Sequence, residues 1–466
     1  GVRGGETDRR SGPVGSAPVA LVATGAAAAY LDVVAVTSGY GWLGPVPGFT
    51  LAGLVAVGGL HLARRWNSEL LAVLMLLGAA GLAPFVAGTL SWVVPAFLAV
   101  LALTGWYAAG DRSWPTLTLA RAVPVTLALL GGAALATPGS ADAWGYVLVA
   151  TVLVAATLVT SAVAVRRHPG DLAASVTLAL FVVALLATST ALLQTTQTIV
   201  LAVSAATLLV GAAAMSKPPI GPLAAHLTMT VGVSGTLAAI LAVGAGAPSR
   251  FLATGLLLLA IGQLAVAGVT RSGRSLVLAG LSSVVALLAW AEHPLALLTV
   301  SSAVRHDTAA GLLDSILAGA LVALALWACR QVSDMSRDLR LVVTVAAWGV
   351  GLVASASAIV AVGTILGVRF GNPDLGFTTG QALATVTWMG AAAWLLLHAL
   401  GRSEAAQLRL RSGLLLSAIC VAKLFLYDLA ALSGLVRSVA FIATGLLLLA
   451  TGSLYARAYD RSRPAG

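Results

Sequence analysis

Residues 251–272 read FLATGLLLLAIGQLAVAGVTRS, twenty uncharged positions followed by Arg271 and Ser272. A helix of about 20 residues rises about 30 Å, the thickness of a bilayer's hydrocarbon core. The stretch therefore reads as a membrane span closed by a basic turn. Apolar runs of the same kind, bounded by Arg, Pro, Gly or Asp, begin near Ala17, Phe49, Leu70, Trp92, Leu117, Trp144, Leu172, Gln197, Leu223, Phe251, Ser275, Ala309, Leu341, Phe377, Ser412 and Ser438. The fold expected is all-α, a polytopic integral membrane helix bundle of about 16 transmembrane helices, within a range of 14 to 18. One stretch, Pro294 to Val304, is too short to span and is expected as a re-entrant piece or an outer loop helix.

Composition agrees. Of 466 residues 59% are hydrophobic and 9% charged, with mean hydropathy +1.00. Soluble domains carry about 25% charged residues, so an ordinary cytosolic enzyme is excluded. Residues 1–16 are polar and rich in Gly, Arg and Ser and read as a disordered cytoplasmic lead. Residues 17–457 form the multi-helix transmembrane domain and 458–466 a cytoplasmic tail. The chain begins at Gly1 rather than Met, as a processed or truncated form would. The first apolar run is long and followed by many others, which makes it a span rather than a cleaved signal.

The net charge of +10 comes from 26 Lys and Arg against 16 Asp and Glu. These basic residues fall singly or in pairs between apolar runs, with no basic stripe interleaved with aromatics, so nucleic acid is not an expected partner. Their distribution sets orientation instead. With the N-terminus in the cytoplasm, 20 of the 26 fall in cytoplasmic turns. Arg250, Arg305, Arg369 and Arg437 fall outside, and Arg121 and Lys423 within helices. Both termini are therefore expected inside, with the chain in the cell's inner (cytoplasmic) membrane. Trp42, Trp66, Trp92, Trp114, Trp144 and Trp290 are placed at helix ends, where an amphipathic ring favours the headgroup layer. Pro84, Pro95 and Pro124 fall inside the third to fifth spans and predict kinks. Cys329 and Cys420 lie inside apolar segments and read as small packing residues. No metal-ligand spacing, nucleotide-binding loop, haem ligand pair or quinone motif occurs, so no cofactor is expected.

The opening stretch has a copy. Residues 441–462 read FIATGLLLLATGSLYARAYDRS, identical at 13 of 22 positions without gaps at an offset of 190. The matches pair Thr254 with Thr444, Gly255 with Gly445, Gly262 with Gly452 and Arg271 with Arg461. Both copies run in the same direction, as in a parallel repeat. In each, two glycines seven residues apart share a face, where a neighbouring helix is expected to approach closely.

The C-terminal region carries the most specific pattern. Leu408-Arg409-Leu410 leads through Lys423-Leu424-Phe425-Leu426-Tyr427-Asp428-Leu429 to Arg437-Ser438-Val439-Ala440-Phe441 and Gly445-Leu446-Leu447-Leu448-Leu449. This resembles the end of the predicted-membrane-protein family called domain of unknown function 2339. Lys423, Asp428 and Arg437 match its pattern and Trp388 matches more weakly, convincingly from about Gly376 onward. The resemblance implies an array of helix hairpins with short basic turns. It implies no activity.

An ionisable residue inside the bilayer is costly unless paired or hydrated, so each is a functional candidate. The candidates are Lys423, Asp428, Arg437, Asp314, Asp32 and Tyr427, gathered toward the extracytoplasmic half. Lys423 faces Tyr427 at i+4 rather than Asp428, which is rotated by about 140°. Its carboxylate partner is therefore expected on another helix, with Asp314 or Asp32 at a suitable depth. Asp428 and Arg437 flank a turn and read as an ion pair that fixes it. Glu292, His293, Arg305, His306 and Asp307 share the longest outer loop, and Arg369 and Asp374 the next. Arg121, His61, His226 and His398 lie near cytoplasmic ends and can snorkel.

Three functions compete. The first is a transporter or flippase-like carrier of a small molecule or lipid, with an extracytoplasmic-facing polar cavity around Lys423. The second is a non-catalytic scaffold for cell-envelope assembly, partnered by envelope proteins, in which a buried pair only fixes register. The third is a membrane glycosyltransferase with a lipid-linked donor, for which the outer loops are too short.

Overall fold

In a computed structural model, the residues described are 16–88, 91–110, 112–217, 223–299, 308–333, 335–399 and 404–424, with helical pieces at 438–439, 442–447, 449–450 and 452–453. Helices account for nearly all of them, and no strand occurs among the described residues. Hydrocarbon offers no hydrogen bonds, so a spanning backbone must satisfy its own polar groups, and a helix does this within one segment. The chain divides into two compact units, Gly1–Gly246 and Ala247–Gly466.

The first unit holds α1 (Ser16–Val34, extended by a π-helical turn Ala35–Gly39), α2 (Pro45–Trp66), α3 (Glu69–Ala87), α4 (Val93–Ala109), α5 (Pro115–Leu135), α6 (Ala141–Arg167), α7 (Leu172–Ser189), α8 (Gln194–Met215) and α9 (Ala225–Gly246). The second holds a 3-10 turn Ser249–Phe251 and then α10 (Leu252–Thr270), α11 (Gly273–Thr299), α12 (Thr308–Gln331), α13 (Arg337–Arg369), α14 (Pro373–Leu397) and α15 (Glu404–Lys423). Thirteen helices among the described residues are long and apolar enough to cross a membrane. The 17-residue α4 is shorter. The first half of α15 carries Glu404, Arg409 and Arg411. Its helix therefore begins well before the apolar run at Ser412.

Local chemistry sets the helix ends. Pro45, Pro115 and Pro373 open α2, α5 and α14, where the missing N–H costs nothing. The side chains of Ser68, Ser140, Asp171, Ser336 and Asn372 accept first-turn N–H groups and cap α3, α6, α7, α13 and α14. Arg64 and Arg65 end α2, and Arg166 and Arg167 end α6, where cations complement the helix dipole.

Packing follows membrane rules. Alanine, glycine, serine and threonine fill much of the buried positions, while large aliphatic side chains such as Leu54, Leu148 and Val210 face outward. In the first unit Leu60, Leu71, Met75, Leu76, Ala108 and Leu117 form one apolar cluster across α2 to α5. Tyr30 donates to the Met75 carbonyl at 3.0 Å, tying α1 to α3. Glu69 reaches from α3 to the start of α5, accepting from the Leu117 N–H at 3.1 Å and from the Thr116 hydroxyl.

Three sequence expectations change. Pro95 is the third residue of α4, in its first turn, where its missing N–H breaks no intrahelical bond and no kink follows; Pro84 and Pro124 do lie inside α3 and α5. The apolar residues from Pro294 to Thr299 are neither re-entrant nor a separate loop helix, because α11 runs straight through Pro294. Trp290 consequently lies within α11 and is buried, not at its end.

Candidate functional site

In the second unit, α13 and α14 meet through glycine on both sides. Gly363 and Gly367 share one face of α13, and Gly376 and Gly380 share one face of α14. A β-carbon at Gly363 would stand 2.6 Å from the Gly376 carbonyl, and one at Gly367 would stand 2.7 Å from the Gly376 Cα. At Gly380 the Val360 Cα would be 2.9 Å away. Backbone lies against backbone here, which only glycine permits. The connection is equally constrained: Gly371 takes φ +80°, and Asn372 N–H donates to the Gly367 carbonyl at 2.8 Å. Further along, Trp388 Nε1 donates to Ser355 Oγ at 3.1 Å across the same helix pair.

This clasp positions the face of α14 that receives Lys423. Lys423 Nζ, half-buried at the end of α15, donates to Thr385 Oγ1 at 2.7 Å and to the Gln381 carbonyl at 3.3 Å. The Thr385 hydroxyl itself donates to that carbonyl at 3.2 Å, so its lone pairs are turned to the ammonium. Below it, Met389, Ala392, Leu395, Leu416 and Cys420 form an apolar cluster on which Trp388 and Leu447 pack. Leu447 belongs to the second repeat copy.

Asp314 is fully buried on α12, and Thr254 on α10 donates to its Oδ1 at 2.5 Å. Ser282 donates to Gln263 Oε1 at 2.9 Å and fixes the antiparallel register of α10 and α11. The aligned Thr444 is also buried, with no acceptor for its hydroxyl among the described residues.

Asp32 belongs to the first unit and is exposed on α1. Tyr427, Asp428 and Arg437 lie outside the described residues, as do Arg305, His306 and Asp307. Arg369 is the last residue of α13 and Asp374 the second of α14. Two of the histidines near helix ends make hydrogen bonds. His226 bridges Ser175 Oγ at 2.8 Å and the Pro169 carbonyl at 2.9 Å. His398 Nδ1 lies 2.9 Å from the Trp394 carbonyl, its ring against the Trp394 ring. Three of the repeat glycines are not contact points: Gly262, Gly445 and Gly452 have nothing within 4 Å of an added β-carbon. The contact face of α10 runs through Leu256, Ala260, Leu264 and Ala267 instead.

A lateral groove of about 640 Å³ lies between α10, α11, α12 and α13, lined by Val277, Gly280, Val284, Leu321, Leu339 and Val343 among others. Its lining is almost wholly aliphatic. At one end it reaches Gly273, Val332 and Ser336, beside the start of α11 with Arg274, the end of α12 with Arg330, and the start of α13 with Arg337 and Arg340. Arg340 Nη2 donates to the Val332 carbonyl at 3.4 Å. Asp338 is the acidic residue in that first turn of α13.

Uninterrupted apolar helices, small-residue interfaces and polar side chains bonded across helices define a multi-pass α-helical membrane protein. Residues 247–458, which nearly coincide with the second unit, match the family model described as Predicted membrane protein (DUF2339). The resemblance carried by Lys423 and its surroundings is thus shown over that span. No curated protein and no solved structure matches the chain.

Proposed function

We propose that this protein is a flippase-like carrier for an amphipathic lipid, acting in the cell's inner membrane with both termini in the cytoplasm. The observation that supports it is the groove of the second unit: an aliphatic trough of about 640 Å³ whose basic end lies among arginines. An acyl chain fits the first and an anionic headgroup the second. The cavity in view is apolar, not the polar one expected around Lys423, so Lys423 and Asp314 serve as polar stations at the other end of the helices. There they meet a headgroup or a proton. A scaffold role is the second reading, favoured by the hydrogen bonds of Lys423 and Asp314 that tie α15 to α14 and α10 to α12.

Gly280 lines the groove and has nothing within 4 Å of an added β-carbon. Gly280→Trp should therefore fold normally and fill the trough. Native mass spectrometry of the purified protein should show phospholipid bound to the wild type and at least about tenfold less bound to the variant. Equal lipid on both would remove the groove from the proposal. Orientation is tested separately: a cysteine at Ser333, between α12 and α13, should react with an impermeant maleimide only in inverted vesicles. Labelling in intact cells would reverse the topology.

A further inference from the structure

We infer that the first unit docks a further transmembrane helix, one carrying a Lys or Arg, against the outward face of α1. The inference does not rest on the lipid groove. The two faces of α1 differ in kind. One packs on the unit's own core: Val19, Tyr30 and Val33 are buried, and Val22, Ala23 and Ala26 lie against the apolar cluster. The other turns outward and carries Thr24, Gly25, Ala28 and Asp32, all exposed. Gly25 and Asp32 are seven residues apart and so share one side of the helix, with Ala28 between them.

Asp32 lies inside the span. The helix and its π-helical turn run on to Gly39, about 10 Å further, and just beyond it Tyr40 and Trp42 stack with ring centroids 5.0 Å apart. Exposed aromatics of this kind belong in the headgroup layer, which leaves the carboxylate at hydrocarbon depth. It makes no hydrogen bond or ion pair among the described residues. A carboxylate on one methylene is too short to reach the surface from there, and in hydrocarbon it is costly until a cation pairs with it.

The rest of the face shows what brings the cation. Elsewhere in the first unit outward side chains include large aliphatics such as Leu54, Leu148, Ile199 and Val210, which suit lipid tails. Beside Asp32, between Leu21 and Leu31, α1 instead presents glycine and alanine, which in membranes mark close helix contacts. An added β-carbon at Gly25 meets nothing within 4 Å, so the space before this face is open. Thr24 donates to the Ala20 carbonyl at 2.9 Å within its own helix, which leaves Asp32 to select the partner. A free cation or a lipid amine would answer the charge alone. A helix with Lys or Arg at the matching depth answers the charge and fills the small-residue face together.

The test uses the full chain in proteoliposomes and a dansyl-labelled Leu/Ala peptide of about 20 residues, long enough to span, with one Lys about 10 Å from one end. Energy transfer from the protein's tryptophans reads binding. The Lys peptide should bind saturably and at least about tenfold more tightly than the same peptide with Leu in place of Lys. Asp32→Asn should remove that preference, and Gly25→Leu should weaken binding of the Lys peptide by filling the face. Gly58→Leu on α2, where an added β-carbon also meets nothing within 4 Å, should bind as the wild type does. Equal binding of the two peptides, or a Lys preference that survives Asp32→Asn, overturns the proposal. So does an Asp32→Asn protein that fails to fold or unfolds earlier than the wild type without peptide, because the carboxylate then has its partner within the chain. Self-association of the chain without peptide, lost in Gly25→Leu, assigns the face to a second copy and overturns it too.

Discussion

Gly376→Leu is expected to destabilise the protein in detergent by about 3 kcal/mol or more, the largest effect of any single substitution considered. Overpacking usually costs about 1–3 kcal/mol because neighbouring side chains shift. Here the neighbours are backbone: an added β-carbon meets the Gly363 carbonyl and stands 2.9 Å from the Gly367 nitrogen. Neither can move without separating α13 from α14. Gly390→Leu on the same helix is the control, since nothing lies within 4 Å of its added β-carbon. It should be neutral or slightly stabilising, as glycine is a poor helix former. Unfolding midpoints in a mild detergent decide the matter, and equal stability of the two variants would contradict the backbone clasp.

Thr254→Val should cost about 1.5 kcal/mol. Hydrogen bonds between membrane helices average about 0.6 kcal/mol and reach about 1.7. The high end applies because the acceptor is a fully buried carboxyl. Asp314→Asn keeps an acceptor for Thr254 and should cost less. In a double-mutant cycle the Thr254→Val penalty should shrink when residue 314 is Leu. A neutral Thr254→Val would mean that the contact between α10 and α12 contributes nothing to stability.

Much of this architecture was legible because a bilayer constrains sequence strongly. The run predicted to start at Leu172 begins there, and most other starts differ by a few residues. The differences have a cause. Runs predicted from Leu341 and Phe377 start four residues earlier, at Arg337 and Pro373, because Ser336 and Asn372 cap them in polar sequence that hydropathy ignores. The Leu-rich repeat drew attention to Gly262, which meets open space, while Gly363, Gly367, Gly376 and Gly380 make a close backbone approach. That four-residue spacing on two successive helices was present to be read. Lys423 was expected to meet a carboxylate of another helix, Asp314 or Asp32; Lys423 Nζ donates to Thr385 and Gln381 of α14. What could not be read was that a hydroxyl and a carbonyl of α14 would supply acceptors, because hydroxyls are so common in these helices that none stands out. The groove was invisible for a related reason: its lining residues are ordinary aliphatics whose significance lies only in the gap between them.

The central claim is that the protein moves lipid, and a proteoliposome assay tests it most directly. The full chain is reconstituted with a fluorescent anionic phospholipid, and translocation is read by quenching from outside. The wild type should translocate lipid at least about tenfold faster than protein-free vesicles, with both Gly280→Trp and Lys423→Ala returning to background. Wild-type vesicles no faster than empty ones, or rates unchanged in both variants, would contradict the account.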